Sequence, residues 1–193
     1  MARNKETIEI TRAHCDHMNA VEFITNRQIY EKVICRAVSS ACFYVWLATS
    51  DLKDFYVDKR HKKMVPFLEI IADLLNKGVK VRLIHAKQPG PAFHRDFDRY
   101  PELVKGLERL LCPRVHFKTV VVDGTFAYSG SANLTGAGMG AKSENRRNFE
   151  AGFITSAKPL VEGIARQFDE LWMGKFCQAC QKKQFCADFG EMS

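Results

Sequence analysis

Residues 115–133 read VHFKTVVVDGTFAYSGSAN, and this stretch decides how the rest of the chain is interpreted. Two short apolar runs, Thr119–Val122 and Thr125–Tyr128, lie on either side of Asp123-Gly124. An Asp-Gly pair between β-branched or aromatic runs is a strong local signal for a tight β-hairpin. We therefore predict two antiparallel strands joined at Asp123-Gly124.

The polar side chains of the same stretch indicate a site for a phosphoryl group. His116 and Lys118 are two residues apart, so their side chains point to one face if the run is a strand. The turn after the second strand brings Ser131 and Asn133 to the same neighbourhood. An imidazole nucleophile beside a fixed cation and hydrogen-bond donors is suited to hold and attack a phosphoryl group.

The segments around the hairpin alternate between helix and strand patterns. Apolar residues at helical spacing predict helices over residues 28–41, 66–77, 101–111 and 159–172. Short apolar or alternating runs predict strands at residues 42–48, 79–86 and 149–155, and segment 134–148 is predicted to be a functional loop. This alternation predicts an α/β sandwich whose mixed, largely parallel β-sheet carries helices on both faces.

Length and composition are those of one globular domain. The chain has 193 residues, of which 46% are apolar, and no apolar run reaches the length that a bilayer span needs. The polar start lacks a hydrophobic segment of the secretory type, which favours a cytoplasmic protein without stable membrane insertion. We divide the chain into an extension of unknown role (1–27), a catalytic domain (28–175) and a Cys-rich tail packed on it (176–193).

The net charge of +7 suggests a polyanionic partner, either nucleic acid or an anionic membrane surface. Solubility alone explains so modest a charge equally well. The most basic run, residues 59–63, is either a contact for a phosphate backbone or a solvated face before a helix.

Read in full, the central stretch contains His116-x-Lys118, then Asp123 after four further residues, and Gly130-Ser131-x-Asn133 after six more. This spacing resembles the HKD motif of the phospholipase D superfamily and is complete through the Gly-Ser-x-Asn end. The helix-strand pair before it is also similar to that family, and the resemblance covers roughly residues 28–172. It implies the family's α/β fold and a phosphodiesterase activity.

The resemblance implies roles for the motif residues. His116 is the nucleophile that forms a covalent phosphohistidine, and Lys118, Ser131 and Asn133 bind the phosphoryl oxygens without a metal ion. Asp123 belongs to the motif, and so to the candidate catalytic set, although its hairpin position favours a structural role.

Further candidates follow the glycine-containing segment. The small nucleases of the family carry a glutamate in an Asn-x-Glu at the start of the next strand, and this glutamate orients the histidine. Asn148-Phe149-Glu150 matches that placement. Arg146 and Arg147 directly precede it and are candidate substrate-binding residues.

The motif occurs once in this chain, whereas two such motifs meet at one site in the family. One histidine attacks phosphorus, and the other protonates the leaving oxygen and then activates water. The resemblance therefore implies a homodimer in which His116 of each subunit faces the other across a twofold axis. Single-motif chains of this size look like the small endonuclease branch of the family.

Three functions follow as hypotheses. The leading one is an endonuclease that hydrolyses phosphodiester bonds of DNA or RNA, in keeping with the positive charge. A phospholipase D-type lipid hydrolase or phosphatidyl transferase is the alternative enzyme, but it needs an apolar membrane-facing surface, and the sequence contains no obvious amphipathic insertion segment. A non-catalytic nucleic-acid-binding module is the third hypothesis.

Seven cysteines in a chain without an export signal favour metal binding or buried thiols over disulfides. Cys177, Cys180 and Cys186 form a C-x2-C-x5-C pattern, and Cys112 is a candidate fourth ligand because it lies just before the hairpin stretch. Four thiolates suit a structural zinc ion, with an iron–sulfur cluster as the alternative. Thiols on a mobile tail explain the pattern about as well. Catalysis itself is expected to need no cofactor.

Overall fold

The computed structural model describes residues 21–59 and 63–186, which form nine strands and five helices. The strands are β1 (Val21–Thr25), β2 (Tyr44–Thr49), β3 (Tyr56–Lys59), β4 (Lys63–Pro66), β5 (Lys80–His85), β6 (Leu107–Leu111), β7 (Lys118–Val122), β8 (Phe126–Gly130) and β9 (Ala151–Thr155). Helix α1 joins an α-helical turn (Arg27–Ile29), a π-helix (Tyr30–Ala37) and a 3₁₀ turn (Val38–Ser40). The others are α2 (Phe67–Asn76), α3 (Pro91–Phe97), α4 (Pro101–Gly106) and α5 (Lys158–Trp172).

Seven of the strands form one mixed sheet in the order β1-β9-β8-β7-β2-β5-β6, and β3 and β4 form a separate hairpin. The mixed α/β fold is therefore confirmed. The sheet is not largely parallel, however, because only the β2–β5 and β5–β6 pairs are parallel in the described residues. Parallel pairing requires a crossover connection, usually a helix. Helix α2 lies in the connection from β2 to β5, and α3 and α4 lie in the connection from β5 to β6. No α-helix lies between β6 and β9.

Helices cover both faces of the sheet, as the alternation of side chains along β2 shows. Val45 and Leu47 pack with the residues of α1 to α4 in the main core. Trp46 and Ala48 point the other way and pack against α5, where Phe168 is fully buried. This alternation has the two-residue period of a strand that is covered on both sides.

The predicted helix over residues 101–111 is wrong in its second half. Helix α4 ends at Gly106, and Leu107–Leu111 becomes strand β6. The leucine spacing fits either structure, and parallel pairing with β5 decides between them by burying Leu110 and Leu111. An ion pair between neighbouring strands, Arg82 to Glu108 at 2.8 Å, accompanies this pairing.

The boundary predicted at residue 28 is also wrong, because β1 belongs to the domain. Val21–Thr25 forms the edge of the main sheet and pairs antiparallel with β9. Residues 1–20 lie outside the described residues, so the rest of the predicted extension stays a prediction.

The basic run at residues 59–63 connects β3 to β4, and its central residues 60–62 lie outside the described part. Lys59 forms ion pairs with Glu69 at 3.0 Å and Asp73 at 2.5 Å. These two carboxylates raise the pKa of Lys59. This lysine therefore serves the packing of β3 against α2 rather than an open phosphate contact. No helix among the described residues is long and apolar enough to cross a membrane.

Candidate active site

The predicted hairpin is confirmed, with β7 and β8 paired from Lys118↔Gly130 to Val122↔Phe126. Thr125 N–H donates to the Val122 carbonyl at 3.1 Å, which closes the turn around Asp123-Gly124. Both central residues have positive φ, 52° and 66°, as a type I′ turn requires. Aspartate tolerates this conformation and glycine adopts it without strain, which explains why this dipeptide forms the turn.

His116 and Lys118 lie together at the open end of the hairpin. His116 lies two residues before the start of β7 and is exposed, whereas Lys118, the first strand residue, is only 8% exposed. The lysine ammonium donates to the backbone carbonyl of His116, and its Nζ lies 3.5 Å from His116 Nδ1. Burial lowers the pKa of Lys118, and the nearby Glu150 carboxylate opposes this effect. A fixed cation therefore stands beside an accessible imidazole.

Asn133 is anchored to the end of β2 through one atom. Its Oδ1 accepts hydrogen bonds from Ser50 N at 3.2 Å, Ser50 Oγ at 2.8 Å and Asp51 N at 3.1 Å. The Thr49 hydroxyl donates to the same oxygen at 3.2 Å. Because backbone N–H groups only donate, the accepting atom must be the amide oxygen. The amide nitrogen is then left as the donor that a ligand can use.

A hydrogen bond joins Ser131, which directly follows β8, to Glu150, which directly precedes β9. The Ser131 hydroxyl donates to the Glu150 carboxylate, and Asn148 Nδ2 donates to Glu150 Oε1 at 3.0 Å. Among the described residues no hydrogen bond joins Glu150 to His116. The expected orientation of the histidine by Glu150 is therefore not present in this arrangement, in which the carboxylate binds the motif serine instead.

Sequence reasoning missed Asn26, which holds the backbone of Glu150 in place. Asn26 N–H donates to the Glu150 carbonyl, and Asn26 Oδ1 accepts from Glu150 N–H, both at 2.9 Å. The next residue, Arg27, donates to the carbonyls of Gly140 and Ala141 at 3.4 and 3.3 Å. An asparagine before a helix was the available signal, but it did not identify residue 150 as the partner.

The first half of segment 134–148 is packed against the site, whereas residues 142–146 are exposed. Leu134 and Met139 are 2% and 1% exposed. Gly138 lies against the backbone of Asn133, where an added Cβ would stand 2.6 Å from the Asn133 carbonyl oxygen. The lack of a side chain at Gly138 thus lets this segment press against Asn133.

Asp123 stands at the other end of the hairpin, separated from Lys118 by the length of β7. Its carboxylate accepts from the backbone N–H groups of Cys42, Phe43 and Tyr44, each at 2.8 Å. These bonds fix the hairpin tip to the start of β2. The inclusion of Asp123 in the catalytic set is therefore corrected to a structural role.

The two arginine candidates lie on the approach to Glu150. Arg146 ends a 3₁₀ turn, Glu144–Arg146, and is exposed. Arg147 is partly buried and lies 3.6 Å from the Glu144 carboxylate. Contact of either residue with a substrate stays a prediction.

The candidate metal ligands converge on one surface behind the hairpin. Cys112, Cys177 and Cys180 line a cavity of about 350 Å³, and Cys186 Sγ donates to the Leu111 carbonyl at 3.2 Å. Burial, with a further contribution from the Cys112 and Cys180 thiols, raises the pKa of Cys177. No group of three or more His, Cys, Asp or Glu side chains in residues 21–59 and 63–186 is already arranged to hold a metal ion.

Sequence comparison identifies the family. Residues 34–172 match the family described as cardiolipin synthase, PLD-like domain. This match covers more than half of the chain, and the chain therefore belongs to the phospholipase D superfamily as a PLD-like domain.

Individual relatives agree with this assignment. Mitochondrial cardiolipin hydrolase from Chlamydomonas reinhardtii is 27% identical over 105 residues, which are 54% of this chain and 44% of that protein. The chain thus spans less than half of that relative's length. Nuc, a phospholipase D family member from Salmonella typhimurium, has the same fold with a TM-score of 0.59 at 16% identity, over 79% of this chain and 93% of that chain. NucT from Helicobacter pylori gives 0.55 at 14% identity, over 78% and 94%.

Proposed function

We propose that this protein is an endonuclease that hydrolyses phosphodiester bonds of nucleic acid through a covalent phosphohistidine at His116. The observation that carries the proposal is an exposed imidazole whose Nδ1 lies 3.5 Å from a buried lysine ammonium. In the proposed mechanism this pair offers a nucleophile and a positive charge to the same phosphate group. No metal ion is needed for the attack in this mechanism.

The proposed reaction has two displacements at phosphorus. A ring nitrogen of His116 attacks, the bond to the leaving oxygen breaks, and a second histidine gives that oxygen a proton. The same second histidine then takes a proton from water, whose oxygen replaces His116 on phosphorus. The products are an alcohol and a phosphate monoester, and both histidines return to their starting states.

The phosphoryl oxygens are proposed to be bound by Lys118, Ser131 and Asn133. Lys118 supplies charge, and Asn133 supplies its amide N–H because its oxygen is already bonded to residues 49–51. The Ser131 hydroxyl donates its single proton to Glu150 here, so it can donate to a phosphoryl oxygen only once that bond is released. Donors that are fixed before the substrate arrives stabilise the extra charge of the transition state without further reorganisation.

The second histidine is proposed to be His116 of a second copy. The chain carries one such motif, and a twofold interface would place the two copies of His116 opposite each other. This arrangement predicts that a mixed dimer with one His116→Ala subunit is inactive. Activity in reassembled mixtures should then fall with the square of the wild-type fraction, whereas independent sites would give a linear fall.

Nucleic acid is favoured as the substrate by the net charge of +7 and by the exposed Arg146 near the site. Similarity of the motif to the small endonuclease branch supports the same choice. The test is digestion of plasmid, single-stranded DNA and RNA by the full chain in EDTA. Cleavage that is lost in His116→Ala and kept in His94→Ala, another exposed histidine, supports the proposal, with circular dichroism as the control for folding.

A lipid phosphodiester is the second candidate substrate. The description of the matching family names cardiolipin synthase, and one relative is a mitochondrial cardiolipin hydrolase. The side chain of Phe149, between Asn148 and Glu150, is 97% exposed and offers an apolar contact at the edge of the site. Release of phosphatidic acid from cardiolipin vesicles, with no cleavage of DNA or RNA, would replace the nuclease proposal. Binding to nucleic acid without cleavage would instead indicate a non-catalytic module.

A further inference from the structure

Three cysteines from distant parts of the chain line one cavity beside α5, and a fourth, Cys186, bonds to the residue next to Cys112. Cys112 follows β6, and its N–H donates to the His85 carbonyl at 2.9 Å, which fixes its backbone to the end of β5. Cys177 and Cys180 follow α5, and they line the same cavity as Cys112. The fold thus brings the tail cysteines to the one cysteine that the sequence places just before His116.

The backbone around Cys177 and Cys180 has the form of a metal-binding turn. Cys180 N–H donates to the Cys177 carbonyl at 3.1 Å, which closes a turn between the two cysteines. Lys182 N–H donates to Cys180 Sγ at 3.4 Å. Backbone N–H groups that point at sulfur stabilise the charge of a thiolate, and such secondary contacts orient metal ligands. This turn therefore prepares Cys180 for the thiolate state that zinc binds.

Cys186 does not line the cavity, but it lies next to the Cys112 segment. Its Sγ bonds to the carbonyl of Leu111, the residue next to Cys112. A 3₁₀ turn, Lys183–Phe185, directs the chain back toward β6. The tail therefore curls so that its third cysteine lies beside the fourth candidate ligand.

We propose that Cys112, Cys177, Cys180 and Cys186 are the ligands of one structural zinc ion. Four thiolates around a tetrahedral ion form a closed structural site. Among the described residues no three of these thiols surround a common point, so zinc binding requires the side chains and the tail to rearrange. Each zinc–sulfur bond would replace a weak thiol contact such as the one from Cys186 to Leu111.

The zinc ion would tie the tail to the segment that leads into the active site. Cys112 N–H and the Cys112 carbonyl, which accepts from Val115 N–H at 3.0 Å, hold the turn just before His116. A bond from zinc to the Cys112 sulfur would hold this turn through the side chain as well as through the backbone. The proposal concerns binding of a metal and does not depend on which phosphodiester the protein cleaves.

The first test is the metal content of the full chain, purified without a histidine tag and without chelator. Inductively coupled plasma mass spectrometry should find about one zinc per chain, as a closed four-ligand site requires. Cys112→Ser and Cys177→Ser should lower zinc content at least about tenfold after dialysis against a competing chelator, since each removes one of four ligands. Cys42→Ser, which changes an exposed thiol at the start of β2, should retain wild-type zinc.

A second measurement remains informative if the variants do not fold. Wild-type protein is treated with a thiol-alkylating reagent before and after removal of metal, and the modified peptides are identified by mass spectrometry. Cys42 should react under both conditions, whereas the four ligands should react only after metal removal. Cobalt(II) added to the metal-free protein should give the thiolate charge-transfer absorption of a tetrahedral site.

Three results would overturn the proposal. One is wild-type protein that contains no stoichiometric zinc and whose four thiols react as fast as Cys42. Another is a Cys112→Ser variant that folds and retains full zinc, which would remove Cys112 from the site. The third is iron with acid-labile sulfide in place of zinc, which would assign the four thiolates to an iron–sulfur cluster.

Discussion

At one end of the β7–β8 hairpin, all three hydrogen bonds of the Asp123 carboxylate go to backbone N–H groups of residues 42–44. At the other end, His116 is exposed and Lys118 Nζ lies 3.5 Å from its ring. Both ends carry residues of one sequence motif. The motif thus combines an anchor, whose hydrogen bonds are internal, with a reactive end that remains available to a ligand.

The largest effect is expected at the reactive end. Replacement of His116 by alanine should lower phosphodiesterase activity by about 10⁴-fold or more, because it removes the nucleophile. The melting temperature should change little, since His116 is exposed. His94→Ala is the matched control. If the activity of His116→Ala stays within tenfold of wild type, His116 is not the nucleophile and the end of the hairpin that carries it is not the reactive end.

The anchor end should show the opposite behaviour. Asp123→Ala should lower the free energy of unfolding by about 2–4 kcal/mol, because three backbone N–H groups lose their acceptor. Urea denaturation measures this change, and Asp98→Ala is the control at an exposed aspartate. Activity per folded molecule should remain within about threefold of wild type, and a loss like that of His116→Ala would return Asp123 to the catalytic set.

A smaller effect is expected at Asn26, which follows β1 and holds the backbone of Glu150 through a hydrogen bond. Asn26 has φ of 48°, so Asn26→Gly preserves the backbone and removes only the side-chain acceptor of Glu150 N–H. We expect kcat to fall about tenfold with KM nearly unchanged, because Glu150 and Ser131 shift relative to His116. Gln28→Ala, which removes an acceptor of Thr25 N–H on the same segment, is the control. Equal losses in both variants would indicate general loosening rather than positioning.

The smallest effect concerns a second aspartate that binds backbone N–H groups and lies outside the hairpin. Asp54 Oδ1 accepts from Phe55 N at 2.9 Å and Leu68 N at 3.2 Å, and burial raises the pKa of Asp54 to about 6. The folded state therefore binds a proton more tightly than the unfolded state, and stability falls as pH rises from about 4 to about 6.

Asp54→Asn should remove this fall, which we expect to be about 1–2 kcal/mol after solvent screening. Urea denaturation of both proteins at several pH values measures it. Identical pH profiles would show that the Asp54 environment does not affect its ionisation.

Local sequence signals predicted the elements whose structure depends on neighbouring residues. The Asp123-Gly124 turn follows from two residues that accept positive φ, and it formed as predicted. The leucines of residues 107–111 fit either a helix or a strand, and only pairing with β5 settled their structure. Where the spacing of apolar residues fits both a helix and a strand, tertiary contacts determine which one forms. A single sequence does not show those contacts directly.

The site shows the same limit. The motif spacing predicted that His116, Lys118, Ser131 and Asn133 lie near one another, and the fold brings these segments to one edge of the hairpin. It did not predict that residues 49–51 would bind the Asn133 oxygen, or that Asn26 would hold Glu150. These partners are distant in sequence, and the polar residues involved resemble ordinary ends of strands and helices.

The pairing of β1 with β9 has a consequence for the order in which the protein forms during synthesis. Val21 pairs with Thr155, so the edge of the sheet joins residues from nearly opposite ends of the described chain. Such long-range contacts form late, because the intervening chain must be present first. Asn26 leaves the ribosome early but can hold Glu150 only after β9 has emerged. The nascent protein therefore remains without a complete site until Glu150 and β9 have emerged.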